Sequence, residues 1–157
     1  MGTKDIISEN RLLMLHPKVR GKALIAYQKA VNITPAGVHP FITETLRSFE
    51  RSNELYAQGR TKPGKKVTNA KAGASFHNYG LAIDFVIQVN GLPVWTVNEN
   101  WLIVVKCFKE EGFAWGGDFK SIPDAPHFEM TLGYKWRELL AKYNNKDFIP
   151  GTEYLNL

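Results

Sequence analysis

The sequence predicts an α+β fold, a small antiparallel sheet flanked by helices. Two patterns carry that expectation. Strand-like segments are segregated from helical ones, and a hairpin signal rather than a helical crossover joins consecutive strands. A third observation sets the scale. The chain has 157 residues with no internal repeat and no low-complexity linker, so 1–157 is expected to form one domain.

In chain order, residues 8–31 read as helical with an interruption at His16-Pro17, because proline suits the first turn of a second helix. That second helix would present Val19, Ala23, Ala26, Tyr27, Ala30 and Val31 for packing. "HPFITETLR", 39–47, has the β-branched content of a strand. "SFERSNELYAQG", 48–59, reads as a helix that Ser48 caps and Gly59 stops. Residues 60–75 read as a loop with five Lys/Arg, and no acidic residue occurs between Leu55 and Ile83. "LAIDFVIQV", Asn90-Gly91 and "LPVW" make a hairpin, since Asn-Gly supplies the positive φ of a type I′ turn. "ENWLIVVKCFKEE", 99–111, is an amphipathic helix stopped by Gly112, its apolar positions assigned to the core. "FAWGG" and "PHFEM" are short strand candidates, and "YKWRELLAKY", 134–143, is a last helix.

Composition narrows the class. Hydrophobic residues at 44% and charged residues at 22% fit a soluble globular protein with a core. No apolar run approaches the ~20 residues needed to span a bilayer, so no stable membrane association is expected. The first residues lack a basic region followed by an apolar stretch, which argues against a secretory signal. Met1-Gly2 is not followed by the Ser/Thr of a myristoylation site. Cys107 is the only cysteine, so no intrachain disulfide can form, and synthesis in a reducing cytoplasm is expected. The net charge of +5 favours a polyanionic partner. Without a tandem basic helix, zinc-finger spacing or an aromatic-interleaved basic stripe, nucleic acid is not the expected one.

The chemistry concentrates in the histidines. His16 and His39 each precede a proline and read as ordinary positional residues. His77 and His127 each have a carboxylate at short spacing: Asp84 follows His77 by seven residues, and Asp124 precedes His127 by three. Asp84 also interrupts the apolar run "LAIDFVI", where a buried carboxylate is costly unless something pairs with it. A hydrolytic zinc site needs three nitrogen or carboxylate ligands and an open fourth position. His77, Asp84 and His127 supply such a set, with Asp124 the candidate to take a proton from water. Spacing alone leaves open the alternative that Asp84 salt-bridges locally and the histidines are unrelated.

"SFHNYGLAID" resembles the Ser-x-His-x-x-Gly-x-Ala-x-Asp motif of the zinc D-alanyl-D-alanine carboxypeptidase/dipeptidase family, and "DAPHFE" resembles its Asp/Glu-x-x-His motif. "LYAQGRTKPGKKVTNAKAGASFHNYGLAIDF" and "GFAWGGDF" are similar to the L-alanyl-D-glutamate endopeptidase branch, which includes phage endolysins and bacterial wall-lytic enzymes. The resemblance spans about Thr43 to Glu129. It implies the small antiparallel sheet flanked by helices that these peptidases share with the hedgehog signalling domain. It implies His77, Asp84 and His127 as zinc ligands, Asp124 as catalytic base, Arg47 as the arginine that polarises the scissile carbonyl, and Ser75 as a substrate contact. Trp115, Gly116 and Gly117 match a "WGG" segment expected to shape the cleft wall. Glu129 is a candidate support for His127 and the rival for the base. One departure is Ser52, where family members often carry Gln.

The expectation is therefore a monomeric zinc endopeptidase acting on the L-Ala–D-Glu bond of the peptidoglycan stem peptide. It would be a phage or prophage endolysin made in the host cytoplasm and released through a holin, with no separate wall-binding domain. A D-Ala-D-Ala carboxypeptidase with the same site is the near alternative. A metal-bearing wall-binding module without turnover is the alternative from another class, and Asp124 and Arg47 argue against it. The basic loop 60–71 is a further candidate for attracting an anionic wall polymer.

Overall fold

The computed structural model describes residues 3–157, with side chains from Ile6 onward; the Met1-Gly2 pair lies outside the described residues. Helix α1 (Thr3–Leu13) is followed at once by α2 (Pro17–Ile33), and the break falls at His16-Pro17 as expected. His16 supplies the reason. Its Nδ1 accepts the Lys18 amide at 3.0 Å, capping α2, while Nε2 donates to the Leu155 carbonyl at 2.8 Å. His16 is fully buried, so this positional residue ties the start of α2 to a segment 139 residues away.

Strand β1 (Val38–Glu44) pairs antiparallel with β2 (Ala82–Val89), and β2 turns into β3 (Leu92–Val94). Asn90 and Gly91 both have positive φ, 50° and 84°, which is the type I′ turn the Asn-Gly pair predicts. Beyond β2, β5 (His127–Glu129) pairs with residues 82–84 and β4 (Ala114–Trp115) pairs with β5. Helix α3 (Phe49–Ala57) carries the Ser48 cap, with Ser48 Oγ accepting the Arg51 amide at 3.0 Å. Helices α4 (Glu99–Glu110) and α5 (Trp136–Asn144) complete the order. The result is the expected α+β arrangement. Strand β1 is shorter than the 39–47 reading and leaves Arg47 in the turn before α3 rather than on a strand.

The core lies on the side of the sheet opposite the site. Ile83, Phe85 and Ile87 alternate along β2 with Asp84, and all three are buried. Phe85 packs on Trp101 at 4.4 Å and on Phe128 at 5.1 Å, and Phe128 stacks on Phe108 at 4.5 Å. Trp101 and Phe108 lie on the buried face of α4, as its amphipathic pattern requires. This aromatic stack fixes β2 against β5, and hence Asp84 against its pairing partner His127.

Candidate metal centre and catalytic cleft

The pairing register brings the histidines together. Asp84 stands opposite His127 across β2–β5 and opposite Glu44 across β1–β2, where a bulge between Ile42 and Glu44 redirects the end of β1. His77 arrives separately, on a single tight turn, Phe76–Tyr79. Ser75 Oγ accepts the His77 amide at 3.2 Å, and the Asn78 side-chain oxygen accepts the amides of Gly73 and Ser75. Gly80 then takes φ 70° to leave the turn.

Each histidine has one nitrogen committed elsewhere. His77 Nδ1 lies 2.7 Å from the Thr45 carbonyl, which can only accept, so Nδ1 carries the proton. His127 Nε2 lies 2.8 Å from Glu129 Oε1, a carboxylate acceptor, so Nε2 carries its proton. The lone pairs that remain, on His77 Nε2 and His127 Nδ1, face Asp84 Oδ1 at 3.2 and 3.1 Å. Three acceptors converge, with ligand atoms all within 4.8 Å of one another. Among the described residues, buried His77 Nε2 has no hydrogen-bond partner. Such a cluster could hold a metal ion. Burial alone would raise the Asp84 carboxyl, but His127 and His77 outweigh it and hold the carboxyl far below the usual range. Burial alone would lower His127, but Asp84 and Glu129 push it up to about 9, so without a metal this imidazole takes a second proton on Nδ1, where a bound cation would stand in its place. The donor set, two imidazoles and a carboxylate each oriented by an outer partner, fits a divalent metal such as zinc.

These residues line a cleft of about 420 Å³ that also contains Arg47, Ser75 and Asp124. The Asp124 amide donates to the Gly116 carbonyl at 2.8 Å, and the Asp124 carbonyl accepts the His127 amide at 3.1 Å. Partial burial pushes the Asp124 carboxyl upward, with nearby Asp84 adding to the effect against the opposing pull of His127, His77 and Arg47. A carboxyl raised in this way is a better proton acceptor. Arg47 is held by its amide, which donates to the His77 carbonyl at 2.9 Å, and by its side chain, whose Nε and Nη2 both contact Glu44 Oε1. Its Nη1 edge is not used by that pair.

All six residues singled out from the sequence therefore meet in one cleft. Trp115 and Gly116 act from behind it. Trp115 Nε1 donates to the Ala125 carbonyl at 2.7 Å, and Gly116 anchors Asp124, so the "WGG" segment shapes the cleft by holding the 124–127 turn rather than by lining it. Ser52 is buried and accepts the Asn78 side chain at 2.8 Å; it braces the His77 turn. Thr45 and Glu44 were not foreseen. A backbone carbonyl leaves no sequence signal, whereas the Glu44-x-x-Arg47 spacing is one. A larger cavity of about 840 Å³ lies on the far side of the Arg47–Glu44 pair and contains none of the metal-facing residues, so size does not locate the chemistry.

The family model described as D-alanyl-D-alanine carboxypeptidase matches residues 68–130, from the basic loop through β5. The peptidoglycan L-alanyl-D-glutamate endopeptidase CwlK of Bacillus subtilis (strain 168) is 47% identical over 125 residues, covering 74% of this chain and 73% of its own. The chain belongs to the D-alanyl-D-alanine carboxypeptidase family of peptidases. Solved structures agree on the fold of this peptidase family. The L-Ala D-Glu endopeptidase ChiX of Serratia marcescens superposes with a TM-score of 0.57 at 23% identity, over 85% of this chain and 90% of that one. The L,D-carboxypeptidase DacB of Streptococcus pneumoniae gives 0.53 at 19% identity, over 85% and 74%.

Proposed function

We propose that this chain is a zinc-dependent endopeptidase that cuts the L-Ala–D-Glu bond of the peptidoglycan stem peptide and serves as a phage or prophage endolysin. The observation that carries the metal chemistry is the convergence of His77 Nε2, Asp84 Oδ1 and His127 Nδ1 with the other nitrogen of each imidazole already committed. The bond assignment rests on the 47% identical relative, whose name states it. No helix among the described residues is long and apolar enough to cross a membrane, which is compatible with a wall substrate reached from solution.

Those three residues would hold a zinc ion, which would supply Lewis acidity toward water and a carbonyl oxygen. The chain's own groups do the rest. Asp124 takes the proton of the attacking water and returns it to the amine that leaves. Arg47, fixed by Glu44, presents its remaining N–H groups to the carbonyl oxygen as negative charge develops there. Ser75, whose oxygen already accepts the His77 amide, keeps its O–H available to a substrate acceptor. Thr45 and Glu129 hold the two imidazoles in the tautomers the metal needs.

The test is mass analysis of the fragments released from purified peptidoglycan, with and without a chelator and after zinc is restored. New D-glutamate amino termini that vanish with chelation and return with zinc support the reading. Release of terminal D-alanine instead would favour carboxypeptidase action, the description carried by the family model. Wall binding without any cleavage would make the chain a binding module.

A further inference from the structure

The chain has four tryptophans, and three have partners. Trp101 and Trp115 both donate to the Ala125 carbonyl, and Arg137 lies over the ring of Trp136 at 4.3 Å. Trp95 has no ring, cation or hydrogen-bond partner among the described residues, and it is 56% exposed. It nevertheless lines the cleft that holds His77, Asp84 and His127. An exposed, unpartnered indole beside reacting groups is a surface held ready for a ligand.

The chain order says roughly where it stands. Val94, the last residue of β3, pairs with Ile87, and Trp95 follows it directly into the cleft that also contains Asp84. Along β2, the Ile87 level at which β3 ends is about 10 Å from Asp84. The same cleft is lined by Val67, 55% exposed, and by Thr43 and Thr68. The site offers a flat apolar face edged by polar groups.

In peptidoglycan the stem alanine is joined through a lactyl group to muramic acid, so a pyranose ring begins about two residue lengths, roughly 7 Å, from an L-Ala–D-Glu bond. Sugar rings have an apolar C–H face and a rim of hydroxyls, the complement of this surface. We propose that Trp95 is a saccharide platform that takes the face of the muramic acid ring carrying the stem peptide. The inference rests on the proposed L-Ala–D-Glu specificity for its geometry, and it makes the enzyme a reader of glycopeptide rather than of peptide alone. Binding energy at the sugar then positions the scissile bond.

The experiment compares one stem peptide in two forms, with and without the muramyl disaccharide on its alanine. Trp95→Ala should raise KM for the glycan-bearing form on the order of tenfold more than for the sugar-free form, the scale of one lost aromatic contact face. Trp95→Tyr should restore most of the loss. This substrate-by-variant cycle isolates the sugar–indole coupling. A second measurement needs no turnover. The peptide-free disaccharide N-acetylglucosaminyl-N-acetylmuramic acid is titrated while the Trp95 indole N–H resonance, assigned by its absence in Trp95→Tyr, is followed by NMR. A saturable shift is expected. Equal losses on both substrates, no loss on either, or an unmoved resonance would overturn the proposal. Failure of the unaltered enzyme to cut either substrate would sink the bond assignment instead, while the disaccharide titration would still decide the role of Trp95.

Discussion

At the scale of single residues, the site is a contest between acceptors that a cation settles. His77→Ala, Asp84→Ala and His127→Ala should each lower zinc content and lytic activity together, measured by metal analysis and turbidity loss of wall suspensions. Asp124→Asn should keep its zinc and lose on the order of 10²–10⁴ in turnover, the usual cost of removing a general base. Zinc loss in that variant would make Asp124 a ligand and turn attention to Glu129. That His77, Asp84, His127 and Asp124 share one cleft was legible through the resemblance of "SFHNYGLAID" and "DAPHFE" to family motifs, whereas spacing alone left a local salt bridge at Asp84 open. What selects which nitrogen of each ring faces Asp84 could not be read. Thr45 contributes only a carbonyl, and Glu129 becomes a tautomer lock only because β5 puts it on the His127 face.

At the scale of elements, short turns rather than long strands aim the chemistry. Gly116 shows how tightly. A Cβ there would lie 2.2 Å from the Asp124 carbonyl oxygen and 3.0 Å from His127 Cβ, and the first of these is backbone that cannot rotate away. Gly116→Ala should therefore displace the 124–127 turn, with an activity loss on the order of 10²-fold for a shift near 1 Å, while Gly21→Ala, where a Cβ would meet nothing within 4 Å, should be silent. Helices and the Asn90-Gly91 hairpin were legible because periodicity and turn chemistry are local. The Phe76–Tyr79 turn and the early end of β1 were not, because tertiary contacts set them: the Asn78 side chain bonds Ser52 and the Arg47 carbonyl, and a bulge bends β1. The cap of α2 makes a pH prediction. Burial lowers the His16 pKa, the Leu155 bond opposes, and Lys18 and Arg20 lower it further. The unfolded chain then binds a proton near pH 6.5, before the folded one does, so stability present above that pH is lost as pH falls below it. Urea midpoints of the zinc-loaded protein should drop between pH 7.5 and 5 less steeply in His16→Asn, which retains a capping side chain, than in the unaltered chain. Parallel slopes would remove His16 as the titrating group.

At the scale of the whole molecule, charge is distributed unevenly. The net charge is +5, and the loop from Arg60 to Lys71 carries five cations and no acid. Part of that charge is structural: Arg60 stacks on Tyr56 at 3.9 Å and donates to the Tyr56 and Thr68 carbonyls. Lys62, Lys65 and Lys66 are exposed, while Val67 and Thr68 of the same loop line the cleft. Lysis of whole walls should therefore weaken as salt rises and screens exposed charges beyond ~8–10 Å. Replacing the three lysines with Gln should reduce wall binding and salt sensitivity, with hydrolysis of a small soluble muropeptide unchanged. Equal loss on the soluble substrate would place these lysines in the cleft itself, and no loss on either would leave them as plain solvated charge.

The tie between His16 and Leu155 also has a consequence in time. Leu155 is buried, Tyr154 donates to the Met14 carbonyl, and these contacts join residues about 140 positions apart. Closing so large a loop costs entropy that only a preformed surface can offset, so the 147–157 segment docks after the sheet and the helix pair have formed. Its Phe148–Leu155 bridge only closes the segment on itself, and side-chain bonds from His16, Tyr154 and Lys142 tie it to the body, so it is also the first part to open. In native-state hydrogen exchange the amides of Ile149 and Asn156 should open at a lower free energy than those of β2. Equal protection would mean that this segment and the sheet open as one unit.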